Sequence, residues 1–356
     1  MLEFFIYVWY NCCVDILFVT NQVGNMNFFE RIHINSFKGM KNVYIDSPKK
    51  INIIISYGNF GKTSFLEALG IMLQPESIAR SYNYFLKNYR NNYFAAYEEF
   101  FSKDKKIELS WNFGGLEFFD RLIGEFETNG FSGYHYSQIE NENLNIKKIN
   151  SGVAVISANQ KAFFEEKPLF DVKLQKLDFL KVRRYNTVQG LADKFYKQYI
   201  LDFMKCFNED VSDIITDTQK GIFIKLKNGK RHFSGYLGDF LCNSAYMENA
   251  IGYAKDGIVI IDDVDAMVTN KNAEAFANMF LASVYKSNCQ VFVTMREALM
   301  IDAILKILKT SGRLETLNVT VLYKNENDGT FGSVNYSGEQ AYKIRFEERI
   351  DLRSKY

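Results

Sequence analysis

Residues 51–73 read INIIISYGNFGKTSFLEALGIML, and the order of their parts decides the fold. Ile51 to Ile55 is a β-branched apolar run, a glycine-containing loop follows, and Gly61-Lys62-Thr63-Ser64 opens an apolar pattern of helical spacing. Strand, loop and helix in that order are what a phosphate-binding P-loop requires. Backbone N–H groups of Gly58, Asn59, Phe60, Gly61 and the first helical residues, Ser64 among them, would point at an anion, with the helix dipole adding favourable potential. Lys62 would reach the β- and γ-phosphates as a point charge, and the Thr63 hydroxyl would hold Mg²⁺. The pattern G-x-x-x-x-G-K-[ST] asks for Gly at position 56, where this chain has Ser56. Gly at that position normally supplies a backbone conformation closed to residues with a Cβ, and Gly58 is placed to take over part of the turn. The bland alternative is a strand–turn–helix unit whose Gly-Lys-Thr is accidental.

A second stretch argues against accident. Residues 257–265 read GIVIIDDVD, four consecutive apolar residues ending in Asp262. Such a run is a fully buried parallel strand, and ligands of open α/β sheets sit at the carboxyl edge where Asp262 falls. This is the Walker B arrangement: Asp262 holds the Mg²⁺–water shell beside Thr63, and Asp263 stands where a water-activating carboxylate belongs. Alone, the run would equally suit a strand ending in a solvated acidic turn.

Composition sets the bounds. The 356 residues are 47% hydrophobic and 24% charged, enough for a full core. A formal net charge of +1 provides no global field to drive the chain onto nucleic acid or membrane, so such binding needs a local patch. Lys181, Arg183 and Arg184 with Tyr185 form one short basic–aromatic cluster, for which a solvated helix end is the favoured reading over phosphate tracking. The 5 cysteines are scattered without metal-ligand spacing, as in a reduced cytoplasmic protein, and 3 histidines make a His-rich metal site implausible. Residues 1–25 carry an apolar stretch interrupted by Asn11 and Asp15, matching neither a secretory signal nor a membrane span. An upstream-start artefact or a loosely packed extension is preferred there to a weak membrane anchor, with the main domain beginning at Met26 and no membrane partner expected.

Along the rest of the chain, alternation around Ile32, Ile34, Val43 and Ile45 predicts half-buried strands at a sheet edge. The helix after the P-loop ends near Leu73, before Pro75. Residues 76–220 are expected to form a helical and partly irregular insertion, with a helix-like Tyr82–Phe101, strand-like pieces at Lys106–Trp111 and Leu116–Asp120, a polar loop at Glu140–Asn150 and a strand at 153–158. Apolar residues four apart predict an amphipathic helix over 186–209, and Asn228-Gly229 predicts a type I′ hairpin turn.

On these motifs the chain resembles the ABC-type, OLD-like bacterial AAA ATPases, related to the heads of SMC and RecF-type proteins. The resemblance covers Phe28 to Arg353. IHINSFKGMKNVYID is similar to that family's opening, with Lys38 at its basic position; SGYLGDF (234–240) looks like its signature loop; NCQVFVTMRE (288–297) matches its switch strand and loop. The resemblance implies an α/β P-loop fold, an ABC-type ATPase head with a mixed sheet flanked by helices, forming a single domain over 26–356. It implies an ATP-dependent homodimer in which Gly235, Gly238 and Asp239 of one copy contact the γ-phosphate held by the other, and an effector protein or a DNA-related or defence-related partner. The module that OLD nucleases carry after the ATPase would need many more than 356 residues, so an ATPase without its own nuclease is expected. Ser337-Gly338-Glu339-Gln340 looks like an ABC signature but follows Walker B, so it is read as a plain turn opening the last helix.

Four departures bear on turnover: Ser56, Asp263 for the usual Glu, Arg296 for the usual switch His, and a signature with Gly235-Tyr236 and Phe240. A side chain shorter by one C–C bond, about 1.5 Å, reaches less far toward an attacking water. Two readings therefore stand: an ATPase that hydrolyses ATP through Asp263 and the switch residue Arg296, or a degenerate module that binds ATP and docks an effector without significant hydrolysis.

Overall fold

The computed structural model describes residues 28–57, 61–73, 106–113, 115–127, 130–141, 146–157, 174–178, 201, 204–205, 210–217, 221–233, 247–248, 250–252, 254–266, 268–270 and 272–354. In chain order the strands are β1 (Phe29–Phe37), β2 (Met40–Ile45), β3 (Ile51–Ser56), β4 (Lys106–Phe113), β5 (Leu116–Glu127), β6 (Gly130–Asn141) and β7 (Ile146–Ser157). There follow β8 (Leu174–Asp178), β9 (Val211–Asp217), β10 (Gly221–Leu226), β11 (Arg231–Phe233), β12 (Ile258–Asp262), β13 (Gln290–Thr294), β14 (Leu317–Lys324) and β15 (Phe331–Ser337). The helices used below are α1 (Lys62–Met72), α2 (Ala273–Ser287), α3 (Ala298–Thr310) and α4 (Gly338–Tyr342). Parallel and antiparallel strands with helices between them make the fold mixed α/β.

The chain divides into two compact units. One draws on Met1–Pro48, Glu67–Val172 and Tyr323–Ser333; the other on Lys49–Leu66, Lys173–Leu322 and Val334–Tyr356. In the second unit, β14, β3, β13, β12 and β8 run side by side and all parallel. β3 and β13 are buried at every residue, as strands covered on both faces must be. Phe276, Phe280 and Val284 of α2 and Ile301, Ile304 and Leu308 of α3 close one core with Ile53, Val291 and Val319. Asn52 is buried within β3 and satisfied locally, its amide donating to Lys49 O at 2.6 Å and Val291 O at 3.1 Å.

The first unit is antiparallel in the order β7, β6, β5, β4, β1, β2. β4 alternates cleanly: Ile107, Leu109, Trp111 and Phe113 are buried, while Lys106, Glu108, Ser110 and Asn112 are half-buried. The strands containing Ile32 and Val43 form as expected, but β1 lies inside its sheet rather than at an edge, because β4 pairs along its other side. The described residues of 76–220 are mostly strand where a helical and irregular insertion was expected; Tyr82–Phe101 lies outside them. The polar stretch Glu140–Asn150 is not a loop throughout: β6 and β7 reach into it, with Glu140 opposite Lys147, since ladder hydrogen bonds come from the backbone whatever the side chains. Leu201, Met204 and Lys205, the described residues of the 186–209 stretch, are helical.

Two turns exchange roles. At Asn228-Gly229 the loop has three residues. Gly229 alone is left-handed (φ 84°), its N–H bonds Leu226 O at 2.9 Å, and Leu226 pairs with Lys230. That is a type I turn with a glycine bulge rather than type I′. The two-residue turn with both central φ positive is Lys38-Gly39 (45° and 80°), joining Phe37 to its partner Met40. Ser337 opens α4 with a reciprocal cap: Gln340 N–H donates to Ser337 Oγ at 3.3 Å, and Ser337 N–H donates to Gln340 Oε1 at 2.9 Å. Gly338 is obligatory there, because a Cβ would stand 2.1 Å from Leu314 O.

Candidate functional site

β3 and α1 meet at the loop, and β12 and β13 end beside them in the parallel unit. Gly61 has φ 75°, a left-handed backbone that suits glycine, and its carbonyl accepts the first helical bond from Phe65 N–H at 2.8 Å. Ser56, where glycine was expected, ends β3 in strand geometry and needs no glycine backbone. It is buried, and Lys62 Nζ donates to Ser56 Oγ at 3.3 Å. Burial pushes the Lys62 ammonium below the usual lysine range, while the carboxylates of Asp263, Asp262 and Asp265 pull the other way.

Thr63 and Asp262 are 199 residues apart in sequence, yet Thr63 Oγ1 donates to Asp262 Oδ2 at 2.7 Å. The other Asp262 oxygen accepts from Thr294 Oγ1 at 2.5 Å, and the same hydroxyl accepts from Asp263 N–H at 2.7 Å. Thr294, the last residue of β13, thus holds the Asp262 carboxylate and the Asp263 amide. The strand-edge rule that singled out Asp262 applies equally to β13 and is the signal by which Thr294 can be found.

Asp263 turns back through a left-handed backbone (φ 52°) and is 7% exposed at its side chain. Both its oxygens face the Arg296 guanidinium: Nε donates to Oδ1 at 2.6 Å, and Nη2 bonds Oδ2. This bidentate pair raises the Arg296 guanidinium further above its ordinary range. Asp265, the third acid of the run, is 1% exposed and accepts Arg296 N–H at 2.8 Å and Glu297 N–H at 2.6 Å, through Oδ2. Burial holds its carboxyl above the usual range against those two donors. Arg353 Nη1 donates to Arg296 O at 2.6 Å. Nothing in the sequence around Arg353 marks it for that contact.

The structure therefore brings together Lys62, Thr63, Asp262, Asp263 and Arg296. Ser64 follows in the first turn of α1. Gly58, Asn59, Phe60, Gly235, Gly238 and Asp239 lie outside the described residues. Lys38, in the antiparallel unit, makes a buried ion pair with Glu67.

The donor set suits Mg²⁺. A hydroxyl and a carboxylate already in contact offer two hard oxygens, and this ion takes one or two protein ligands, completing its shell with water and phosphate oxygens. Among the described residues no group of three or more His, Cys, Asp or Glu forms a self-sufficient metal cage. No helix among them is long and apolar enough to cross a membrane.

No protein-family model matches the chain. An uncharacterized protein of Methanocaldococcus jannaschii, MJECL10, is 30% identical over 97 residues, 25% of this chain; the chain spans only 43% of that relative's length. Among solved structures, the Smc head domain with an extended coiled coil, bound to the C-terminal domain of ScpA and derived from Pyrococcus furiosus, aligns at TM-score 0.51. It is 12% identical and covers 91% of this chain and 100% of that one. The SMC head domain from Thermotoga maritima aligns at TM-score 0.46 with 10% identity, over 87% and 99% of the two chains. At this identity the likeness is one of fold alone: the chain shares the mixed α/β fold of the Smc head domain.

Proposed function

We propose that this chain is an ATP-binding P-loop ATPase head of the OLD-like, ABC-type kind, built as a single domain over 26–356 and working in the cytoplasm. Two copies join around ATP, and hydrolysis releases them in the service of a DNA-related or phage-defence effector. One observation carries the reading: Thr63 Oγ1 and Asp262 Oδ2 meet at 2.7 Å across 199 residues of sequence, beside Lys62. Bound Mg²⁺ would neutralise charge on the phosphate oxygens. Lys62 supplies a second positive charge to them, and the start of α1 supplies favourable dipole potential. Asp262 and Thr63 would hold the ion, and Thr294 fixes the Asp262 carboxylate through its other oxygen. Asp263, once free of Arg296, accepts the proton of the attacking water.

A specific observation favours a second reading, in which ATP is bound without significant hydrolysis. Both oxygens of Asp263 are engaged by the Arg296 guanidinium, so an attacking water would have to displace it to reach them. Calorimetric titration of Mg–ATP, followed by steady-state phosphate release, separates the two readings, with Lys62→Ala as control. Binding heat with release clearly above the Lys62→Ala level supports the ATPase. Binding heat with equal release leaves the binding module, and no heat removes both.

A further inference from the structure

Residue 296 is gripped from every side. Its N–H is accepted by Asp265 Oδ2 (2.8 Å), its C=O is held by Arg353 Nη1 (2.6 Å), and the next N–H returns to Asp265 Oδ2 (2.6 Å). Three charge-assisted bonds on two successive peptide units exceed what a loop needs to satisfy its backbone, because an exposed loop can use water instead. Arg353 is itself fixed: Nε and Nη2 donate to the two oxygens of Asp351 at 3.0 and 2.6 Å. That fork holds the Asp351 carboxyl down at about 2. Asp351, Arg353, Ser354 and Tyr57 line an open cavity of about 260 Å³, with Tyr57 70% exposed.

These contacts orient one side chain. With its backbone held at both ends, Arg296 keeps its guanidinium across both oxygens of Asp263, which the Asp263 N–H bond to Thr294 and its left-handed backbone turn toward it. We propose that the C-terminal Asp351–Arg353 fork and Asp265 form a clamp on residue 296 that holds the Arg296–Asp263 pair closed. Arg353 is thus a positioning residue that keeps turnover low until the clamp is released. The inference rests on the ATPase reading above. It goes beyond it by assigning control of the reaction to the C-terminal segment. Release of Arg353 would free the 296 carbonyl and leave only the two Asp265 bonds to the flanking amides, letting the guanidinium swing away and freeing Asp263 to take a proton from water.

The test combines Arg353→Ala with Arg353→Lys, which keeps the charge but cannot form the fork to Asp351. Asp351→Asn weakens the fork from its other half. Expected for Arg353→Ala is an increase in kcat for phosphate release of about tenfold, with the Mg–ATP Kd unchanged within about twofold. Arg353→Lys and Asp351→Asn fall between Arg353→Ala and the parent. Amide hydrogen exchange in a peptide covering 294–300 should accelerate by at least about tenfold in Arg353→Ala, while exchange in β12 and α2 stays at the parent rate. A parent protein that gives no heat with Mg–ATP defeats the ATPase reading itself. If the parent binds Mg–ATP and the variants fold with the parent Tm, an unchanged or lowered kcat, or an unchanged exchange rate at 294–300, overturns the clamp. Should Arg353→Ala not fold, Arg353→Lys and Asp351→Asn decide by the same two readouts.

Discussion

The parallel and antiparallel units spend their polar residues differently, and the difference explains where chemistry sits. β3 and β13 are buried along their whole length, so the polar groups that matter emerge at their carboxyl ends, at Ser56 and Thr294. β4 alternates, and its charged residues lie along the strand on one face, where Glu108 meets Lys106 at 3.7 Å and Arg121 at 2.8 Å. Burial on both faces leaves only strand ends for function, whereas one solvated face lets charges pair without chemical consequence. Stability should follow the same division.

The largest effect belongs to the parallel unit's core. Phe280 on α2 is fully buried within it. Phe280→Ala should cost about 3–5 kcal/mol, read from urea unfolding, because removing a fully buried ring leaves a cavity that the surrounding core fills only in part. A loss under about 1.5 kcal/mol would mean that this core is not close-packed, and the comparison would lose its basis.

Next comes a buried acid in the same unit. Glu248 is 1% exposed, Ser283 Oγ donates to its Oε2, and among the described residues its Oε1 has no partner. Burial pushes its carboxyl up to about 8 from 4.5, against the pull of the Ser283 hydroxyl and of Lys286. The folded state therefore holds the proton more tightly than the unfolded chain does. Stability from this group is full below pH 4.5, falls as pH rises, and levels off above about 8. By pH 7 the loss amounts to about 3 kcal/mol. Glu248→Gln should remove most of that slope, so its unfolding free energy at pH 8 gains on the parent's while the two nearly match at pH 4.5. Parallel pH profiles for the two proteins would show that Glu248 is not buried in this way.

Legibility in the sequence tracks the same physics. The runs INIII and IVIID announced their strands because burial on both faces favours apolar residues, Asn52 being admitted by its local hydrogen bonds, and Gly-Lys-Thr marked the helix start. The contact of Thr63 with Asp262 followed from placing both at one sheet edge. What no local pattern could show was pairing between distant side chains. The Arg296 guanidinium on Asp263, the Asp265 carboxylate on the 296–297 amides and the Arg353 fork all depend on loops whose course the periodicity does not describe. Turn type was equally opaque. Asn228-Gly229 carries the composition of a type I′ turn but closes a three-residue loop, while Lys38 accepts a left-handed backbone at the two-residue turn. Composition states what a residue tolerates, and register states what it must do.

The smallest effect is expected on the antiparallel face. Arg121 is 43% exposed at its side chain, donates to Glu108 at 2.8 Å, and stacks its guanidinium 5.1 Å from the Phe119 ring centre. In water the pair gains little Coulomb energy and gives up rotamer freedom, and Lys106 stands ready to compensate part of the Glu108 charge. Arg121→Gln should therefore cost only about 0.2–1 kcal/mol, shrinking further in high salt. Unfolding of the parent and Arg121→Gln at low and high ionic strength measures both quantities. A salt-independent loss above about 2 kcal/mol would mean that Glu108 is as desolvated as the acids at the end of β12, and the two units would then not differ in the way their strand patterns say.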